Sequence, residues 1–251
     1  MIARSMSCRR ANADADRGES GYHLRVRPGR PGTVMRNMVI GPLLDAHVAT
    51  GARVLDLGGF DGSITEHLQA RGVHVTLADL DPDGVAQARA RCVPGVVASA
   101  TELPCPDRSF DAVVCCDLLP CIPEDLHEAV FREIARVLAP DGWLIMTIPD
   151  AALHLPFVDM AAAYASWRSM KGLSRPRIDE LTRRAGLTIH GGRAYFGLPA
   201  RLFYALAFFL NVPPRGTRLK RALWRYVVAG ETYWCPAPQA HLIVGRPARP
   251  A

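Results

Sequence analysis

Between Ala52 and Ile148, short runs of strand-forming residues alternate with segments of helical spacing. No other feature of the chain limits its fold as much. The strand runs are 52–57, 73–78, 96–98, 111–116 and 143–148, the last entered through a turn at Pro140-Asp141-Gly142. The helical segments are 63–69, 83–91 and 126–138, the second opened by Asp81-Pro82. A strand that must pass through a helix before the next strand begins returns parallel to its predecessor, so the pattern predicts a parallel sheet covered on both faces. Ahead of it, Val34, Met38, Val39, Leu43 and Leu44 recur at helical spacing across Gly41-Pro42, which predicts a broken helix or two short pieces.

The chain has 251 residues, 49% of them hydrophobic, enough for one α/β domain with some decoration and too few for two full domains. No apolar run approaches the roughly 18 residues that span a bilayer, and the first twenty residues lack the apolar stretch of a secretory signal. Seven cysteines without paired spacing predict reduced thiols and a cytoplasmic protein. Charge is divided along the chain. Residues 1–36 hold 8 basic and 3 acidic side chains, 37–164 hold 7 and 18, and 165–251 hold 15 and 3. The acidic middle argues against a nucleic-acid groove, whereas the basic last third suits an anionic partner or surface.

Chemistry concentrates in Val54-Leu55-Asp56-Leu57-Gly58-Gly59-Phe60-Asp61-Gly62, at the end of one strand and the start of a helix. Gly58 and Gly59 let the backbone turn tightly and a ligand approach with no Cβ in the way. The helix that follows turns its N–H groups towards a polar ligand. Asp79 ends the next strand, 17 residues after Gly62, where a carboxylate can accept hydrogen bonds from two ribose hydroxyls. Two neighbouring strand ends thus define one nucleoside-sized crevice.

The spacing G-x-G-x-x-G of dinucleotide sites is absent. Asp56-x-Gly58-x-x-x-Gly62 instead resembles the first motif of class I S-adenosylmethionine-dependent methyltransferases of the small-molecule type, an acid followed by G-x-G-x-G, with Phe60 in place of the middle glycine. Glu102-Leu103-Pro104, the run Pro106–Asp111 and the run Arg132–Gly142 are similar to later segments of the same family, in its order and spacing. The resemblance implies a Rossmann-like, doubly wound, mostly parallel sheet of seven strands with helices on both faces. It implies S-adenosylmethionine as methyl donor and a small, apolar or amphipathic acceptor, methylated on oxygen, carbon or nitrogen.

Carried over residue by residue, the resemblance puts Asp56 near the methionine amino group and Gly58 beside the methionine part, with Gly59, Phe60 and Gly62 completing the loop. Asp79 would hold the ribose and Leu80 would pack on the adenine, which Ser99, Ala100 or Thr101 would also contact. Cys116 and Asp117 would floor the pocket where donor meets acceptor. Phe60→Gly is expected to leave binding intact or improve it if the aromatic merely crowds the turn.

No cysteine or histidine pattern fits a metal site. Cys115 reads as a core residue, and at Cys121, where the family often carries His, the resemblance implies a lining of the acceptor pocket rather than a nucleophile. His154, just past the fifth strand, is the candidate general base for a phenol or enol acceptor. His127, in a charged helix, is expected to face solvent.

Residues 1–32 read as a flexible basic segment and 33–251 as the methyltransferase domain, with core motifs in 52–150. After a helix at 178–185 and a strand at 187–189, an insertion of about 191–238 precedes a run at 239–245 that resembles the family's final, antiparallel edge strand. Within the insertion, 198–210 is apolar nearly all round and Arg215 to Arg225 are basic with interleaved Trp224 and Tyr226. This composition fits a helical cap over the acceptor pocket, and also peripheral membrane contact through 198–226 or a dimer contact. Two readings of other classes share the crevice: a non-catalytic S-adenosylmethionine-binding relative, and a dinucleotide-dependent oxidoreductase.

Overall fold

The computed structural model of the chain describes residues 40–60, 62–149, 172–195 and 240–248. In chain order the strands are β1 (Arg53–Leu57), β2 (His74–Asp79), β3 (Gly95–Val97), β4 (Phe110–Cys116), β5 (Leu138–Pro149), β6 (Leu187–Tyr195) and β7 (Ala240–Pro247). The helices are α1 (40–47), α2 (Ser63–Gln69), α3 (Pro82–Ala90), α4 (His127–Val137) and α5 (Arg175–Arg184). The strands form one sheet in the order β3-β2-β1-β4-β5-β7-β6. The first five are parallel, and β7 is antiparallel to both neighbours.

Side-chain alternation along the strands divides the core in two, because successive residues point to opposite faces. Val54, Val75, Ala112, Val114 and Ile145 meet Ile40 and Leu44 of α1 and Ile64 and Leu68 of α2. Leu55, Leu57, Val113, Cys115, Leu144 and Met146 meet Val130, Phe131, Ile134 and Val137 of α4 and Ile178 and Leu181 of α5. A smaller cluster joins Leu77 to Val85 and Ala88 of α3. The predicted doubly wound sheet is therefore the observed one, with helices on both faces.

Four expectations need correction. The last strand is antiparallel but lies between β5 and β6, so β6 is the edge. The turn at Pro140–Gly142 does not precede the fifth strand but lies within β5. Pairing with β4 jumps from Phe110–Leu138 to Ala112–Trp143, so the turn is absorbed as a bulge. The strand expected at 187–189 extends to Tyr195, into the stretch expected to open the insertion; of the helical segment expected over 33–47, only the helix at 40–47 lies among the described residues. Cys92 is disulfide-bonded rather than a reduced thiol. It sits exposed in a left-handed turn after α3 (φ 63°). Cys105, Cys115, Cys116 and Cys121 are free thiols, as expected.

The sheet order reverses between β1 and β4: β1 continues to β2 on one side, while β4 continues to β5 on the other. Ligands of open α/β sheets bind at such a switch point, beyond the carboxyl ends of the strands. The residues there are Gly58, Gly59, Phe60 and Gly62 after β1, Asp79 at the end of β2 with Leu80 beyond it, and Asp117 to Cys121 after β4. A separate hollow of about 410 Å³ opens at the other end of the sheet, among His47, Asp111, Asp141 and Trp143. Asp111 is already paired there with Arg53 at 2.9 Å, and Arg246 covers the Trp143 ring at 4.1 Å. Among the described residues no helix is long and apolar enough to cross a membrane.

Candidate active site

The loop after β1 is shaped by two left-handed glycines, Gly58 (φ 73°) and Gly62 (φ 78°), and closed by Gly62 N–H donating to Gly59 C=O at 2.8 Å. Gly58 N–H donates across to Ala78 C=O at 2.7 Å, which ties the loop to the end of β2. A Cβ on Gly58 would stand 2.8 Å from Leu118 Cδ1. On Gly59 it would stand 2.7 Å from Asp56 Cγ and 2.8 Å from Leu77 Cδ1. Only glycine fits at either position without moving its neighbours.

Asp56 lies beneath this loop and is 1% exposed. Its Oδ2 accepts a 2.6 Å hydrogen bond from Thr65 Oγ1 in α2, so the acid holds the helix that the loop leads into. A ligand above the loop is separated from this carboxylate by Gly59.

Asp79 is differently placed, half-buried at the open end of β2. Its Oδ2 accepts from Phe60 N–H and its Oδ1 from Asp81 N–H, both at 2.9 Å. Asp81 in turn caps α3, its Oδ1 accepting from Asp83 N–H at 2.8 Å and Gly84 N–H at 3.2 Å. Leu80, between the two acids, is 70% exposed, so its side chain is open to whatever lies over the strand end. At the neighbouring strand end, Ser99 Oγ lies 2.7 Å from Thr101 Oγ1 and accepts from Thr101 N–H at 3.2 Å. Ala100 beside them is buried.

Phe60 does not crowd the turn, as it would if it only replaced a glycine. Its backbone is left-handed (φ 43°), a conformation that costs a residue with a Cβ roughly 1–2 kcal/mol. Its ring leaves the turn and rests on Gly84 of α3, where an added Cβ would fall 2.4 Å from Phe60 Cδ2. A glycine inside a helix costs roughly 0.8–1 kcal/mol relative to alanine, and the ring is what demands it here.

After β4, Asp117 is also left-handed (φ 56°) and held in place from β5. Its N–H donates to Thr147 C=O and its Oδ1 accepts from Thr147 Oγ1, both at 2.9 Å. Cys116 beneath it is buried. Partial burial pushes the Cys121 thiol up, and the negative fields of Asp117 and Asp79 push it further. Cys121 is therefore a protonated thiol at neutral pH, facing the same two carboxylates that border the crevice.

His127 is only 3% exposed, contrary to the expectation that it faces solvent. Its Nε2–H donates between Leu119 C=O and Ile122 C=O, 3.0 Å from each, and so staples the turn that carries Leu118 and Cys121 into the crevice. Nδ1 is buried with no hydrogen-bond partner. The charged residues around it along the chain hide this, because a single helix-start position is not resolved by periodicity. His127→Leu is expected to lower stability by about 1–3 kcal/mol through the unpaired Ile122 carbonyl, measured by urea unfolding. His154 lies outside the described residues, as do 198–226 and 1–32.

Glu133 and Arg136 of α4 pin the segment that leads from the Ser99–Thr101 turn to β4. Glu133 Oε2 accepts from Leu103 N–H at 2.7 Å, while Arg136 donates to Leu103 C=O, Cys105 C=O and Asp107 Oδ1 at 2.7–3.0 Å. The hydrogen bond from Arg136 holds the Glu133 carboxyl below its ordinary range.

Comparisons with known proteins agree with this architecture. Residues 55–146 match a family described as "Methyltransferase domain". A demethylmenaquinone methyltransferase of Mycobacterium sp. (strain KMS) is 37% identical over 128 residues, 51% of this chain and 53% of that protein. A ubiquinone biosynthesis O-methyltransferase of Xanthomonas campestris pv. campestris (strain B100) is 36% identical over 107 residues, 39% and 43% of the two chains. The alignments thus span about half the length of these relatives or less. Among solved structures, a SAM-dependent methyltransferase of Methanosarcina mazei superposes with a TM-score of 0.60 at 15% identity, covering 83% of this chain and 98% of that one. The cyclase SpnF superposes at 0.59 with 19% identity over 99% and 93%, so the fold by itself does not fix the reaction. Over residues 55–146, on this sheet, the chain is similar to the class I S-adenosylmethionine-dependent methyltransferases.

Proposed function

We propose that this chain binds S-adenosylmethionine in the crevice beyond β1, β2 and β4 and transfers its methyl group to a small, apolar or amphipathic acceptor. The observation that carries this reading is the carboxylate of Asp79. One backbone N–H on each oxygen fixes its orientation, and each oxygen retains a lone pair for one hydroxyl of a vicinal diol. Exposed Leu80 offers an apolar face to an adenine, with Ser99, Ala100 and Thr101 at the adjoining strand end. Gly58 and Gly59 keep side chains away from the methionine part. Asp56, sealed under Gly59, serves by holding Thr65 and the start of α2 in place.

When bound, the donor supplies an electrophilic methyl group on a sulfonium. In-line displacement of this kind depends chiefly on holding the two reactants in position. Asp117, fixed by Thr147, and buried Cys116 form the floor on which the acceptor rests. The neutral Cys121 thiol adds a soft, weakly polar lining rather than a competing nucleophile. A phenol or enol acceptor needs its proton removed, and His154 is the proposed base for that step.

The relatives named for demethylmenaquinone and ubiquinone biosynthesis support an apolar, ring-bearing acceptor. The apolar and basic composition of 198–226 supports a cap over such a molecule and contact with an anionic membrane surface. The test is a panel of hydroxylated quinones, phenols and lipids, with release of S-adenosylhomocysteine as the readout. Turnover with at least one apolar acceptor is expected. Donor binding with no turnover on any acceptor would make the chain a non-catalytic relative, and co-sedimentation with anionic vesicles that does not fall with salt would refute the electrostatic surface contact.

A further inference from the structure

Phe60 and Gly84 are 24 positions apart and neither is explained by its own element. An aromatic residue occupies a left-handed turn, and a glycine occupies a buried position in a helix. Each accounts for the other, because the ring lies where a side chain at position 84 would be. The contact closes a circuit. Phe60 N–H holds Asp79 Oδ2, Asp79 Oδ1 holds Asp81 N–H, Asp81 Oδ1 holds Gly84 N–H, and Gly84 carries the Phe60 ring. Every link of this circuit bears on the Asp79 carboxylate, and the ring contact is the link made by side-chain packing.

We propose that Phe60, seated on Gly84, is a positioning residue that fixes the Asp79 carboxylate for a vicinal diol. The inference rests on the reading of the crevice as the S-adenosylmethionine site. It concerns how the loop and α3 are clamped together, not which atoms touch the donor. A ring displaced from Gly84 takes its own backbone N–H with it, and Asp79 Oδ2 is then free to rotate away from the diol.

The test is a double-mutant cycle on the full chain, Gly84→Ala, Phe60→Gly and both together, read in two ways. Calorimetry gives the affinities for S-adenosylmethionine and for its 2′-deoxy analogue. The ratio of the two reports on Asp79 and the diol, which a merely structural change would leave alone. Wild-type protein is expected to prefer the full ribose by about tenfold or more, since the analogue leaves a carboxylate lone pair unmet. Gly84→Ala is expected to weaken donor binding about tenfold or more and to bring the ratio close to one. In the Phe60→Gly background the added methyl should change neither quantity by more than about twofold, because no ring remains for it to displace.

Thermal unfolding without ligand supplies the second reading. Gly84→Ala should lower the melting temperature when Phe60 is present. In the Phe60→Gly background the same change should raise it, as helix propensity alone would. Donor binding by wild-type protein with no coupling between the two positions would overturn the inference and leave the site reading intact. Coupling in unfolding with no donor binding by wild-type protein would overturn the site reading, and this inference with it.

Discussion

Asp79→Ala is expected to weaken S-adenosylmethionine binding by about a hundredfold or more, because two hydrogen bonds to a charged acceptor are lost together. The same change frees Phe60 N–H and Asp81 N–H, so the loop and the start of α3 lose their common anchor. Both donors lie at the open end of the sheet, where water can replace the carboxylate. The chain should therefore remain folded, with an unaltered circular dichroism spectrum, while calorimetric affinity for the donor falls. Asp79→Asn keeps one acceptor oxygen and should fall between the two. Near-normal affinity in Asp79→Ala would remove the ribose assignment.

The second large effect is expected from Gly59→Ala, through the opposite kind of defect. The added methyl would press on the Asp56 carboxylate and the Leu77 side chain, 2.7 and 2.8 Å away, both buried under the loop. Neither can leave without breaking something else: Asp56 would give up Thr65, and Leu77 would give up Val85 and Ala88. Forcing an extra methyl into such a site costs about 1–3 kcal/mol, or roughly 2–12 °C in Tm for a chain of this size. Because relief must come from lifting the loop, donor affinity should fall along with Tm. Unchanged melting and unchanged binding would mean the loop is not seated on Asp56 as described.

Much of this is legible in the sequence because parallel α/β folds write their topology locally. The helix at Ser63–Gln69 matches its expected bounds, and the other elements within 52–150 apart from β5 match to within a residue or two, whereas α5 starts three residues early and β6 runs on to Tyr195. Each buried strand is a short apolar run, and the longer helices α4 and α5 show an apolar stripe. The place of β7 inside the sheet is not legible on those terms. A strand's neighbours depend on long-range pairing, and the run at 239–245 looks the same at an edge or one place in from it. The turn at Pro140–Gly142 is visible along the chain, but not that β5 begins before it.

The site divides in the same way. Gly58, Gly62 and Asp79 announce themselves, because tight turns and strand-end carboxylates have few other uses. The role of Gly84 does not, since a lone glycine near a helix start is commonplace and its partner Phe60 is distant in sequence. The burial of His127 is hidden for a related reason: its surroundings come from the turn at 119–122, which folds back over the helix start. In each case the missing information is a packing contact between separate elements, which spacing along one element does not encode.

The most direct test of the central claim is calorimetric titration of the purified chain with S-adenosylmethionine and, separately, with NADH. Micromolar binding of S-adenosylmethionine, with no heat from NADH, is the predicted result. Failure to bind S-adenosylmethionine in a protein shown to be folded, or binding of NADH in its place, would contradict it.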